Sequence, residues 1–148
     1  SAPFRVSDHF RALGAVHAGA RADDAIERAA VGPLLDQYAW SLSTGERARV
    51  SLALALARRP RVLLADEPLV GIAPADQEKL GMLLRGLATA GAAVVTSGHD
   101  TQPLMAISDC VIWSVAGTTH YLGSPARALA HDQFRREYLG PGFDIERP

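Results

Sequence analysis

The chain has 148 residues, 48% of them hydrophobic and 21% charged, with a formal net charge of −1 at pH 7. That length allows one domain with a real core, and the near-neutral balance gives no electrostatic footprint for nucleic acid. The single cysteine, Cys110, excludes an internal disulfide, and no run of about 18 apolar residues offers a membrane span.

The pattern in chain order begins with helices. "SDHFRALGAVHAG" from Ser7 offers Ser7 and Asp8 as caps, and "RADDAIERAAVG" is expected to stop at Gly32-Pro33. A third helix is expected from Ser43 to Arg59. Ser43 and Glu46 have capping-box spacing at its start, Pro60 closes it, and Val50, Ala53, Leu54 and Ala57 form an apolar stripe. "RVLLAD" (Arg61 to Asp66) lacks alternation and reads as a strand buried on both faces of a parallel sheet.

After Pro74, "ADQEKLGMLLRGLATAG" is a helix with Leu80, Leu83, Leu84 and Leu87 on one face, stopping at Gly91. "AAVVTS" is a second buried strand, so strand, helix and strand imply a right-handed parallel crossover. "CVIWSV" and "TTHYLG" flank Ala116-Gly117 as a hairpin, and "SPARALAHDQFRREYLG" reads as an amphipathic helical tail.

In open parallel sheets, ligands gather at the carboxyl ends of strands. The first buried strand ends in Asp66-Glu67, and the second in Ser97-Gly98-His99-Asp100. Two acids and an imidazole at strand ends suit metal-assisted hydrolysis. One carboxylate would hold hydrated Mg²⁺, the other would orient or deprotonate water, and the His would meet developing charge. The start of the helix at Ser43, with Gly45 allowing close approach, suits a phosphate. Each feature alone also has a structural reading: a polar turn, a structural His, an ordinary capped helix.

Their order is more informative than any one of them. The string "LSTGE", a helix, "RVLLADEP", "LVGIAP", a helix and "TSGHD" resembles the ATP-binding subunits of ABC transporters, from about Phe4 to Phe143. "LSTGE" is similar to the signature motif, "RVLLADEP" to the Walker B strand, "LVGIAP" to the D-loop and "TSGHD" to the switch-histidine segment.

The resemblance implies an α/β fold of P-loop NTPase (ABC ATPase) type. Residues 1–42 would be part of a helical subdomain, and residues 43–148 the C-terminal part of an incomplete ATPase core. It implies ATP and Mg²⁺ as cofactors. Glu67 and His99 would be catalytic, and Asp66 would hold Mg²⁺ through water. Ser43, Thr44, Gly45 and Glu46 would face ATP held by a second ATP-binding subunit. It further implies membrane permease partners, no nucleic acid, and a peripheral place on the cytoplasmic face of the membrane. The endings "DQFRREYLGPGF" and "DEPLVGIAP" are similar to the branch serving branched-chain amino-acid uptake and lipopolysaccharide export.

The chain also departs from the family pattern. Thr44 stands where the family usually has Gly, and Ala73 where the D-loop normally has Asp. No G-x-x-x-x-G-K-[ST] loop occurs, and the single lysine, Lys79, lies within a helix. With its start at Ser-Ala-Pro, the chain is expected to be the C-terminal part of a longer subunit, inactive by itself. The alternative is a non-hydrolytic interaction module that presents its signature face and helical subdomain to partners. A chromosome-maintenance or DNA-repair ATPase is disfavoured because residues 7–40 lack sustained heptads. A Ser-His-Asp hydrolase is disfavoured because Ser41, not Gly, lies two before Ser43.

Overall fold

A computed structural model describes residues 4–140, which divide between two compact units, Ser1–Gly98 and His99–Pro148. The part of the expected resemblance beyond Gly140 lies outside the described residues.

In the first unit, α1 spans Val6–Val16 behind Arg5 as N-cap. Ser7 and Asp8 therefore do not precede the helix as caps. Asp8 acts from inside the first turn instead, its carboxylate accepting the Arg5 N–H at 2.9 Å. An acid at this third position can reach back to the residue before the helix, which satisfies an otherwise orphaned donor. Helix α2 is short, Ala22–Arg28, and Ala30 at φ 50° turns the chain out before Gly32–Leu34 form a 3-10 turn.

Helix α3, Thr44–Ala57, starts at the expected Ser43 cap. Val50, Ala53 and Ala57 of the expected stripe are buried and Leu54 partly so. Leu52 and Leu56 are buried too, because α3 is packed by α2 on one side and by α4, Pro74–Thr89, on another. Val6, Phe10, Val31, Leu34, Val50 and Ala53 share one apolar cluster.

The expected crossover is present: β1, Val62–Ala65, pairs in parallel with β2, Ala93–Thr96, through α4. The expectation that both faces are buried is not met. Val62, Leu64 and Val95 are 59%, 74% and 58% exposed. Among the described residues the sheet has two strands with alternate residues exposed, and the apolar run cannot reveal which face lacks a cover.

The second unit contains α5, Thr101–Ile107, which the sequence pattern did not suggest, and the expected hairpin of β3, Val111–Val115, and β4, Thr118–Gly123. Its turn residues Ala116 and Gly117 both have positive φ, 46° and 77°, the combination that matches strand twist in two-residue hairpins. The tail is not one helix. It breaks into α6, Pro125–Leu129, α7, Asp132–Phe134, and a π-helical turn, Arg135–Leu139. His131 causes the restart, because its Nδ1 accepts the Phe134 N–H at 3.2 Å. The breaks turn Phe134 onto Trp113, with ring centroids 5.5 Å apart, in a core shared with Met105, Leu122 and Ala128.

Candidate functional site

The polar groups at the ends of β1 and β2 are held by one hydroxyl. The ladder continues a step past the strands, with the Ser97 N–H donating to the Ala65 carbonyl at 3.1 Å. Ser97 Oγ then donates to Asp66 Oδ1 and accepts the Glu67 backbone N–H at 3.0 Å. One side chain thereby orients the first carboxylate and fixes the backbone of the next residue. Glu67 sits at φ 46°, a left-handed conformation that costs a residue with a Cβ about 1 kcal/mol. The Val70 N–H donates to the Glu67 carbonyl at 3.2 Å and closes the turn. Both carboxylates are exposed, and the neighbouring Thr96 hydroxyl is buried without a hydrogen-bond partner among the described residues.

A second polar group forms where α3 begins. Ser43 Oγ accepts the Glu46 N–H at 3.3 Å, while Glu46 Oε2 accepts from the Ser43 N–H at 2.9 Å and its hydroxyl at 2.8 Å. The Ser43 N–H is the largest cause holding the Glu46 carboxyl below its ordinary range, followed by the Ser43 hydroxyl. An N-cap of this kind contributes about 1 kcal/mol. Thr44 is exposed and Gly45 is buried. A Cβ on Gly45 would lie 2.9 Å from Asp76 Oδ2 in the first turn of α4, so packing alone already favours glycine there. Arg47 Nη2 reaches back to the Leu42 carbonyl at 3.1 Å and steadies the approach to the cap.

The expected residues thus fall into distinct groups: Asp66 and Glu67 around Ser97, and Ser43 to Glu46 around their own cap and Asp76. His99 belongs to the second unit, where its side chain is exposed and its carbonyl accepts the Tyr138 hydroxyl at 3.2 Å. Two roles were missed in the sequence: that of Ser97, named there only among the strand-end residues, and that of Asp76. Ser97 could have been found by extending the strand register one residue, which sets it opposite Asp66. Asp76 could not, because its approach to Gly45 depends on how α3 and α4 pack.

No group of three or more His, Cys, Asp or Glu side chains that could hold a metal occurs among the described residues. A magnesium ion requires less of the protein, since it is commonly held by one or two carboxylates, waters and the phosphates of its substrate. Asp66, exposed and oriented by Ser97, fits that role. Lys79, within α4, pairs with Asp76 at 3.2 Å.

The parallel β–α–β unit with acids at the end of its first strand, preceded by a capped helix, is an α/β arrangement, and the solved structures that it resembles in fold are ABC ATPase domains of the P-loop class. Residues 3–70 match the family model described as "ABC transporter". The chain is 30% identical over 125 residues to the lipopolysaccharide export system ATP-binding protein LptB of Haemophilus influenzae, covering 84% of this chain and 52% of that protein. It is 37% identical over 118 residues to the cobalt import ATP-binding protein CbiO of Rhodobacter capsulatus, covering 80% and 42%. The solved structure of cbiO1 from Clostridium perfringens, part of the ABC transporter complex cbiONQ, superposes with a TM-score of 0.67 at 28% identity, covering 79% and 47%. The chain is homologous to ATP-binding proteins of ABC transporters. It spans about half the length of these relatives, which include export and import proteins alike.

Proposed function

We propose that this chain is part of an ATP-hydrolysing subunit that powers an ABC transporter. In this reading Glu67 orients and deprotonates the attacking water, Asp66 holds hydrated Mg²⁺, and His99 contacts the γ-phosphate. Ser43, Thr44, Gly45 and Glu46 face ATP seated on a second ATP-binding subunit. Residues 1–42 belong to the helical subdomain that docks onto membrane permease subunits at the cytoplasmic face. No helix among the described residues is long and apolar enough to cross a membrane, in keeping with a peripheral subunit.

The observation that supports the reading best is the arrangement at the end of β1. Ser97 aims Asp66 and, through the Glu67 N–H, holds a glutamate in an unfavourable backbone conformation. Strain of this sort persists where surroundings over-determine it, and such places cluster at functional sites. The exposed Glu67 carboxylate can take a proton from water, and Asp66 supplies negative charge to a cation beside it. The chemistry supplied by Mg²⁺ when bound is neutralisation of phosphate charge.

The test requires the longer subunit with a phosphate loop. Glu67→Gln keeps the shape but removes the proton acceptor, so ATP binding should survive while turnover falls about a hundredfold or more. Turnover within a few-fold of the parent would refute the assignment. His99→Ala should also lower turnover strongly, and a normal rate would leave His99 a structural residue.

A further inference from the structure

At the far ends of α3 and β1 from Ser43 and Asp66, the first unit carries a cleft of about 470 Å³. It lies among the end of α3, the end of α4, the start of α2 and the start of β1. Arg21, Arg28, Arg59 and Arg61 line it, with Asp24 as the acid and Leu56 in its wall. The backbone sets these side chains in place. The Arg21 N–H donates to the Ala57 carbonyl at 2.8 Å, the Arg59 N–H to Leu56 at 2.8 Å, and the Arg61 carbonyl accepts from Ala93 at 2.9 Å.

Four arginines thus line one cleft in a chain whose net charge is −1. Arg28 has Asp24 at 3.9 Å, while Arg21, Arg59 and Arg61 have no ion pair among the described residues. Cations are favoured beside helix C-termini, but the ends of α3 and α4 supply only about half a negative charge each. Adding Asp24 leaves roughly two positive charges uncompensated. Arginines lining one cleft with a single acid favour an anion that accepts from guanidinium forks.

We propose that this cleft is a binding site for a phosphate-bearing anion, separate from the residues assigned to ATP hydrolysis. The space is of the order that holds small ligands, about 300–1,000 Å³, which is ample for two linked phosphate groups. The cleft is polar and open, so the ligand's charge rather than an apolar body is what it recognises. A soluble diphosphate and the headgroup of an anionic phospholipid both present phosphate oxygens to a guanidinium fork.

The experiment titrates the 148-residue chain calorimetrically with inorganic pyrophosphate at low salt. It measures in parallel co-sedimentation with phosphatidylglycerol and phosphatidylcholine vesicles. One saturable site is expected, weakened about tenfold or more in Arg59→Gln/Arg61→Gln, weakened less in Arg59→Lys/Arg61→Lys, which keep the charge but lose the forks, and weakened by added salt. Arg135→Gln/Arg136→Gln, in the other unit, should leave binding unchanged. Binding of pyrophosphate identifies a soluble ligand. Arg59- and Arg61-dependent capture by phosphatidylglycerol vesicles alone identifies a headgroup. The proposal is overturned if neither probe binds, if binding survives Arg59→Gln/Arg61→Gln, or if the Arg135/Arg136 control loses as much. Thermal melting of each variant separates loss of binding from loss of fold.

Discussion

Ser97 and Asp66, 31 residues apart in sequence, are joined by a hydrogen bond from the Ser97 hydroxyl to the Asp66 carboxylate, and that hydroxyl also receives the Glu67 N–H. Ser97→Ala leaves both without their partner. The site is exposed, so water replaces part of what is lost, and the expected destabilisation is about 1 kcal/mol in urea unfolding. Ser97→Thr keeps the hydroxyl and should retain most of the stability. Equal behaviour of the two variants would show that the hydroxyl does not hold this strand end.

Glu67 allows the backbone to be separated from the side chain. Glu67→Ala and Glu67→Gly both remove the carboxylate, but only alanine keeps a Cβ at φ 46°. Glycine should therefore be the more stable of the two by about 1 kcal/mol, the reverse of the usual order. Alanine melting above glycine would remove the argument for strain at this turn.

Local chemistry was legible in the sequence and long-range chemistry was not. The Ser43–Glu46 box and the Ala116-Gly117 turn each depend on residues close in the chain, and each was read from them. Burial of Val62, Leu64 and Val95 depends on what lies over the sheet, which a four-residue apolar strand does not encode. Helix α5 escaped notice because "TQPLMAI" is two turns long and contains Pro103, which its first turn tolerates. In the tail, helical propensity is overridden at His131 by a side-chain cap and by the demand that Phe134 meet Trp113.

The packing of Gly45 against Asp76 predicts coupling between two residues. Gly45→Ala gains helix propensity but drives a Cβ to within 2.9 Å of Asp76 Oδ2, forcing that side chain away from Lys79. In an Asp76→Ala background the obstructing carboxylate is gone. The same Gly45→Ala change should then be more favourable by about 1 kcal/mol, measured as a double-mutant cycle. Additivity within error would mean that the two residues do not oppose each other.

Glu46 gives α3 a pH dependence of definite sign. Its carboxyl is held below the ordinary value of 4.5, chiefly by the Ser43 N–H. A depressed folded pKa means stabilisation that is complete above the unfolded value and lost as pH falls through the folded one. Stability should thus fall below about pH 4.5, and Glu46→Gln, which can still accept the Ser43 N–H, should make that fall shallower. Parallel acid titrations of the two proteins would contradict this.

Ala73, the N-cap of α4, has the extended backbone of a cap, φ −60° and ψ 144°, but no side chain to accept a hydrogen bond. Ala73→Ser should stabilise the protein by about 1 kcal/mol. Serine is a cleaner test than aspartate, because Asp76 already places a carboxylate in the same turn. An unchanged or lowered melting temperature would show that the first turn has no use for a cap.

The open face of the β1–β2 sheet makes the last prediction. Val62, Leu64 and Val95 present apolar surface to solvent, and among the described residues the two strands pair only with each other. Exposed apolar strands with unpaired edges are templates for pairing with other chains. The chain should therefore self-associate with rising concentration in sedimentation velocity. Leu64→Lys, at the most exposed of the three positions, should shift that association to higher concentration without lowering the melting temperature, because 74% of the leucine is already in water. Serving as a control, Leu80→Lys alters a buried residue of α4 that is 1% exposed and should unfold the protein instead. Association unaffected by Leu64→Lys would place the sticky surface elsewhere and leave this sheet face stable in water as it stands.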